Sequence, residues 1–181
     1  AMPRVPMRND YCRYAANTRT EPQHLNAITT FNEYLCTVYA QYFPEKYAAA
    51  MLEVEENVNA DWRWMPGPFL TANVNVNHAI PYHRDTGNMK SALSNVFILK
   101  KNIIGGELVC PEFGVTLAQQ DRALCIFDGQ SVIHGVRPIR RAIGESEFYR
   151  ASIVYYTLAG LKKCDCQAGE LSRIQEVKTK L

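Results

Sequence analysis

At 181 residues, with 47% hydrophobic and 10% aromatic content, the chain is sized for one compact domain with an ordinary buried core. No apolar run approaches the roughly 20 residues that span a bilayer, and the first residues lack the charged, apolar and small-residue succession of an export signal, so neither insertion nor secretion is expected. A net charge of +2 neither demands nor excludes nucleic acid, because phosphate binding depends on where basic groups cluster and not on their sum.

In chain order, an acid-poor arm over residues 1–23 comes first, with Arg4, Arg8, Arg13 and Arg19. Helix is predicted over 24–57. Leu25, Ile28, Leu35, Val38, Tyr39 and Tyr42 recur at helical spacing, and Pro44 restarts the run through Tyr47, Met51 and Val54. Pro66-Gly67-Pro68 closes this layer. From Phe69 to Asn77 the period becomes two: Val74 and Val76 alternate with Asn73, Asn75 and Asn77, which predicts a strand with one apolar and one polar face. Further strands are predicted at 93–99, 107–110, 114–117, 123–127 and 149–158, with Gly105-Gly106 among the turns between them. Short strands at this spacing make a sandwich or jelly roll, here a core over 69–158 within a domain over 24–160. After Gly160 the lysine-rich stretch 161–181 is a peripheral tail or helix.

None of the six cysteines (Cys12, Cys36, Cys110, Cys125, Cys164, Cys166) stands in Cys-x-x-Cys spacing. They are expected to be thiols in a reducing, intracellular compartment. A metal role for Cys164-x-Cys166 would need partners that the sequence does not identify.

The chemistry concentrates in three segments. Pro81-Tyr82-His83-Arg84-Asp85-Thr86-Gly87-Asn88 contains His-x-Asp, which on an extended chain puts an imidazole and a carboxylate on one side. About fifty residues on, Ile133-His134-Gly135 brings a second imidazole. His83, Asp85 and His134 together make a two-histidine, one-carboxylate set, which leaves adjacent positions open on iron(II) for oxygen activation. Arg150-Ala151-Ser152 then follows on a predicted strand. A guanidinium takes a carboxylate through two parallel hydrogen bonds and the Ser152 hydroxyl, on the same strand face, adds a third, as holding the distal carboxylate of 2-oxoglutarate requires.

In these segments the chain resembles the TET/JBP family of 2-oxoglutarate oxygenases, which oxidise the methyl group of pyrimidines in nucleic acid. The likeness runs from about Asn73 to Leu158. Its most specific parts are His83-Arg84-Asp85-Thr86-Gly87-Asn88-Met89, Gly105-Gly106-Glu107-Leu108, Ile133-His134-Gly135-Val136 and Arg150-Ala151-Ser152-Ile153-Val154-Tyr155-Tyr156. The resemblance implies an α+β fold, a double-stranded β-helix (jelly roll) with an N-terminal helical layer. It implies iron(II), 2-oxoglutarate and O2 as cofactor and co-substrates, with His83, Asp85 and His134 on the iron and Arg150 and Ser152 on 2-oxoglutarate. It also implies DNA as partner, 5-methylcytosine or thymine as target, and a nuclear location in a eukaryote. Asn88 would contact the target base and Tyr156 would stack on it, as suits an enzyme that must take the base out of the duplex. Two departures stand out. Leu158 occupies the place, eight residues past Arg150, where animal methylcytosine oxidases carry a base-contacting histidine, and their cysteine-rich zinc region is absent from this sequence.

Several residues have competing readings at this point. Asn88 is equally a turn residue after Gly87, and Tyr156 equally a core aromatic. His78 rivals His83 as a ligand but extends the Val74–Val76 face and has no carboxylate two positions on; His24 opens a helix at the surface. Asp128 either orients His134 or starts the turn at Asp128-Gly129. Arg137, Arg140 and Arg141 follow closely on His134, as solvated residues or as phosphate contacts, and Arg137 rivals Arg150 as anchor. An oxygenase for a protein side chain or small molecule, and a non-catalytic jelly-roll binding module, are the alternative functions.

Overall fold

A computed structural model describes residues 1–5, 10–15 and 17–179. Arg8 and the side chain of Arg19 lie outside the described part. The chain divides into two compact units, one of residues 1–71, 87–92 and 156–181, the other of residues 72–86 and 93–155.

The first unit is helical: α1 (Asn17–Thr20), α2 (Pro22–Tyr42), α3 (Pro44–Asn57) and α4 (Gln167–Thr179). Prolines open α2 and α3 because the first turn of a helix needs no N–H from them, and Pro44 for the same reason cannot continue α2. Leu35 and Tyr39, one turn apart, are fully buried, and Tyr39 stacks on Phe69 at 5.5 Å. A second cluster gathers Val54, Val58, Trp62, Leu70, Met89 and Leu161. Buried Glu170 on α4 ties distant segments together. Its carboxylate accepts Cys12 N at 2.7 Å, Asp165 N at 2.9 Å and the Arg4 guanidinium. Burial alone would raise this carboxyl, but these donors hold it below its usual range. Beside it Cys12 and Cys164 form a disulfide, which corrects the expectation of thiols throughout; the two stand 152 residues apart, so no spacing motif announces them. No described helix is long and apolar enough to cross a membrane.

The second unit is β. β1 (Thr71–Val76), β2 (Ser94–Lys101), β6 (Ala123–Phe127) and β9 (Tyr149–Tyr156) form a sheet in the order β1-β9-β2-β6. Short β3 (Ile103–Gly105) pairs with β8 (Ile139–Arg141), and β4 (Leu108–Cys110) lies between β5 (Val115–Leu117) and β7 (Gly135–Val136). The architecture is thus α+β, N-terminal helices with a β-sheet core. β3, β7 and β8 are too short to show a period and escape the sequence reading. The alternation in β1 is misleading in another way. Val74 and Val76 are 48% and 59% exposed, because β1 is an edge strand and its valines cover no core.

Register decides which residues share a face. On β9, Arg150, Ser152 and Val154 stand opposite Lys100, Ile98 and Val96 of β2; on the other side of β2, Ser94, Val96 and Ile98 stand opposite Phe127, Cys125 and Ala123 of β6. Directly opposed residues point the same way and alternate along each strand. One face therefore carries, row by row, Arg150, then Ser152 and Ile98, then Val96 and Cys125, then Ser94 and Phe127.

Candidate metal centre

His83 and His134 meet through their backbones. Each N–H donates to the other's carbonyl at 2.9 Å, an antiparallel bridge outside any strand. This places the two imidazoles 4.4 Å apart between ring centres. Asp85 enters from the same segment and its N–H donates to Gly129 O at 2.8 Å. The ligand atoms of the three side chains all lie within 4.8 Å of one another. Asp85 Oδ1 is 3.4 Å from His83 Nε2 and 3.7 Å from His134 Nε2.

Proton placement follows from the partners. His83 Nδ1 faces Pro81 O and His134 Nδ1 faces Val132 O, both at 2.9 Å. A carbonyl only accepts, so each Nδ1 carries a proton, and each Nε2 is the ring nitrogen that faces Asp85. Asp85 Oδ2 accepts the hydroxyl of buried Ser94 at 2.8 Å, which leaves Oδ1 for the centre of the cluster. Phe127 meets the His134 ring edge-on at 4.9 Å. His134 is buried while His83 is 38% exposed, so the cluster opens on one side. Two imidazole nitrogens, one carboxylate oxygen and an open side are a donor set suited to a divalent transition metal such as iron(II).

Supporting residues that the sequence did not single out fix this geometry. Gly129 passes so close to Asp85 that a Cβ there would lie 2.3 Å from Oδ2 and 2.7 Å from Ser94 Oγ. Glu112 braces both ligand segments: Oε1 accepts Arg84 Nη2 at 2.6 Å and Oε2 accepts Ile133 N at 2.7 Å, while Arg84 Nε donates to Ser131 O at 3.1 Å. Asp128 takes the turn role, Oδ1 accepting Gln130 N and Ser131 N, both at 3.1 Å. His78 is exposed on the segment after β1, and His24 is exposed beside Glu21.

On the sheet face Arg150 and Ser152 are both buried, 2% and 3% exposed. Burial lowers the Arg150 guanidinium from its ordinary range, and nearby Glu107 partly offsets the effect. Gly106 makes room for the arginine stem, since a Cβ there would meet Arg150 Cδ at 2.8 Å. Arg150 Nε has no partner. A buried cation with a free N–H is placed to receive a carboxylate. Arg137, by contrast, is exposed. Asn88 and Tyr156 belong to the helical unit, where both are half-buried. There Asn88 bridges Leu158, and Met89 N donates to Thr157 O at 2.8 Å.

The fold and the donor set define the class, an oxygenase domain with a facial-triad-like metal centre. A model described as the oxygenase domain of the 2OGFeDO superfamily, Tet_JBP, matches residues 6–159. The chain belongs to the TET/JBP family. It is 22% identical over 167 residues to thymine dioxygenase JBP1 of Trypanosoma brucei brucei, covering 92% of this chain and 19% of that protein. Similarity to thymine dioxygenase JBP1-B of Trypanosoma cruzi (strain CL Brener) is 26% over 167 residues, 92% of this chain and 20% of that one. The chain spans about a fifth of the length of these curated relatives. Among solved structures it resembles NgTET1 in complex with 5mC DNA, with a TM-score of 0.71 at 16% identity, over 97% of this chain and 67% of that one, a likeness of fold.

Proposed function

We propose that the chain is an iron(II)- and 2-oxoglutarate-dependent dioxygenase that oxidises the 5-methyl group of a pyrimidine, 5-methylcytosine or thymine, in DNA. The observation that carries this reading is the convergence of two Nε2 atoms and Asp85 Oδ1 in a unit whose sheet also buries Arg150 and Ser152. We read the β core as a double-stranded β-helix over 69–158, in a dioxygenase domain over 24–160 flanked by the arm 1–23 and the tail 161–181.

His83, Asp85 and His134 would hold the iron, and Arg150 with Ser152 the distal carboxylate of 2-oxoglutarate. Iron with these co-substrates supplies oxidation of a methyl C–H bond by O2, one oxygen atom going to the methyl carbon and the other to 2-oxoglutarate as it becomes succinate and carbon dioxide. The protein's residues prepare that chemistry. Pro81 O and Val132 O keep the protons of His83 and His134 on Nδ1, so both Nε2 atoms stay available for a metal. Ser94 fixes the rotation of Asp85. Asn88 would read the base edge with an amide that both donates and accepts, and Tyr156 would offer a stacking surface. Thymine is the first substrate to test, because Leu158 stands where animal methylcytosine oxidases carry a base-contacting histidine and the trypanosome relatives are named thymine dioxygenases.

The test is incubation of iron-loaded protein and 2-oxoglutarate with duplexes containing thymine or 5-methylcytosine, followed by mass spectrometry of nucleosides and measurement of succinate. A hydroxymethyl pyrimidine with matching succinate is expected. Succinate without any modified nucleoside would remove DNA as substrate. Failure to form succinate, with iron bound, would remove the dioxygenase reading.

A further inference from the structure

Arg150 is buried, and its guanidinium Nε has no hydrogen-bond partner. Gly106 confines the stem, so the place of the head group along the sheet face depends on how the backbone of residue 150 is held. On one side β9 pairs with β2, where Lys100 stands opposite Arg150. On the other side lies the edge strand β1, whose last residue is Val76. Asn77, the next residue, continues that pairing alone: its N–H donates to Arg150 O at 2.8 Å and its Oδ1 accepts Arg150 N at 2.7 Å. The double clamp uses a left-handed backbone, φ 49°, a conformation in which asparagine is enriched over other residues that carry a side chain.

Asn77 is itself exposed, so its side chain adds little to the core. From the Arg150 row the face runs through Ser152 and Ile98, then Val96 and Cys125, to Ser94, whose hydroxyl donates to Asp85. The metal end of this face is secured by its own bonds, His83 to His134 and Asp85 N to Gly129 O. A 2-oxo dicarboxylate that reacts at the metal with its distal carboxylate on Arg150 spans two fixed points, and where they stand selects its length. We propose that Asn77 is a positioning residue for the co-substrate: by clamping the Arg150 backbone it sets this span, and with it the chain length of 2-oxo dicarboxylate that the site accepts. The inference rests on the dioxygenase reading above. One methylene is worth about tenfold or more in a fitted pocket, so a small shift of the anchor is enough to blur the choice.

The test uses the full chain, iron-loaded and anaerobic, with calorimetric Kd values for 2-oxoglutarate and for 2-oxoadipate, which is one methylene longer, and with iron affinity measured alongside. The parent protein should favour 2-oxoglutarate by about tenfold. Asn77→Gly keeps the left-handed backbone and loses Oδ1. It should raise the Kd of 2-oxoglutarate by about three- to tenfold, the weight of one hydrogen bond, raise that of 2-oxoadipate less, and leave iron affinity unchanged. Asn77→Asp keeps an acceptor at the clamp and should bind both acids as the parent does. Equal binding of the two acids by the parent, an unchanged 2-oxoglutarate Kd in Asn77→Gly, or a rise by the same factor for both acids overturns the proposal. So does a parallel loss of iron affinity, which assigns Asn77 to the fold, or an Asn77→Asp variant no better than Asn77→Gly. Arg150→Ala separates the two levels. If it raises the 2-oxoglutarate Kd while Asn77→Gly does not, only the asparagine assignment fails; if it too leaves Kd unchanged, the co-substrate reading fails.

Discussion

The two ends of the β unit's functional face are built on opposite principles. At the metal end the supporting atoms are committed: both Nδ1 atoms to carbonyls, Asp85 Oδ2 to Ser94, and the His83 and His134 backbones to each other. At the Arg150 end the guanidinium Nε is a buried donor without a hydrogen-bond partner. A cation that takes three protein ligands needs them held before it arrives, so their orientation is secured by the fold. A dicarboxylate brings its own acceptors, and the fold can leave donors for it to satisfy. Removing a support should therefore cost geometry at the first end and ligand affinity alone at the second.

The largest expected effect lies on the ligands themselves. Asp85→Ala or His134→Ala should abolish iron binding and turnover, a greater loss than the roughly 10–100-fold that follows loss of a supporting contact. Anaerobic iron titration and succinate release measure both. Turnover that survives in either variant would take that residue out of the site and dissolve the contrast between the two ends.

Next comes Gly129→Ala. The new Cβ must displace Asp85 Oδ2 or Ser94 Oγ, at 2.3 and 2.7 Å, although Gly129 needs no left-handed backbone. Iron affinity should fall by about 10–100-fold, while the Kd of 2-oxoglutarate for the Arg150 end shifts only through the lost metal. Circular dichroism should show the fold retained. Iron affinity equal to that of the parent protein would show that the Asp85 pocket yields freely and that the metal end is not rigid.

What the sequence made legible follows from the range of the interactions. His83 and Asp85 are two residues apart on extended chain, and Arg150 and Ser152 alternate within one strand, so local periodicity exposes both pairs. Ser94, Gly129 and Glu112 act across pairings that no local pattern encodes. Gly129 reads as half of an Asp-Gly turn, and only its carbonyl's bond to Asp85 N reveals its place beside a ligand. The β1 valines show the reverse error, a clean alternation that periodicity assigns to a core and an edge strand leaves exposed. The Cys12–Cys164 disulfide and the short strands β3, β7 and β8 fail for the same reason, since tertiary pairing specifies them.

Glu112→Gln is the finest probe of the contrast. Glu112 touches no ligand, yet its two oxygens receive Arg84 Nη2, from the residue between His83 and Asp85, and Ile133 N, from the residue before His134. Glutamine keeps the volume and one acceptor but turns an NH2 group toward one of two donors, so one brace must open. Because Arg84 and Glu112 are 44% and 36% exposed, water takes over part of the lost contact. Iron affinity should fall by only about three- to tenfold, the lower end of a supporting contact, with the 2-oxoglutarate Kd of the iron-loaded protein unchanged. Arg84→Ala combined with Glu112→Gln should cost less than the two changes added, because both break the same brace. Strict additivity would mean that Glu112 steadies His134 through Ile133 alone, and that His83 and Asp85 owe their placement to the bridge and to Ser94.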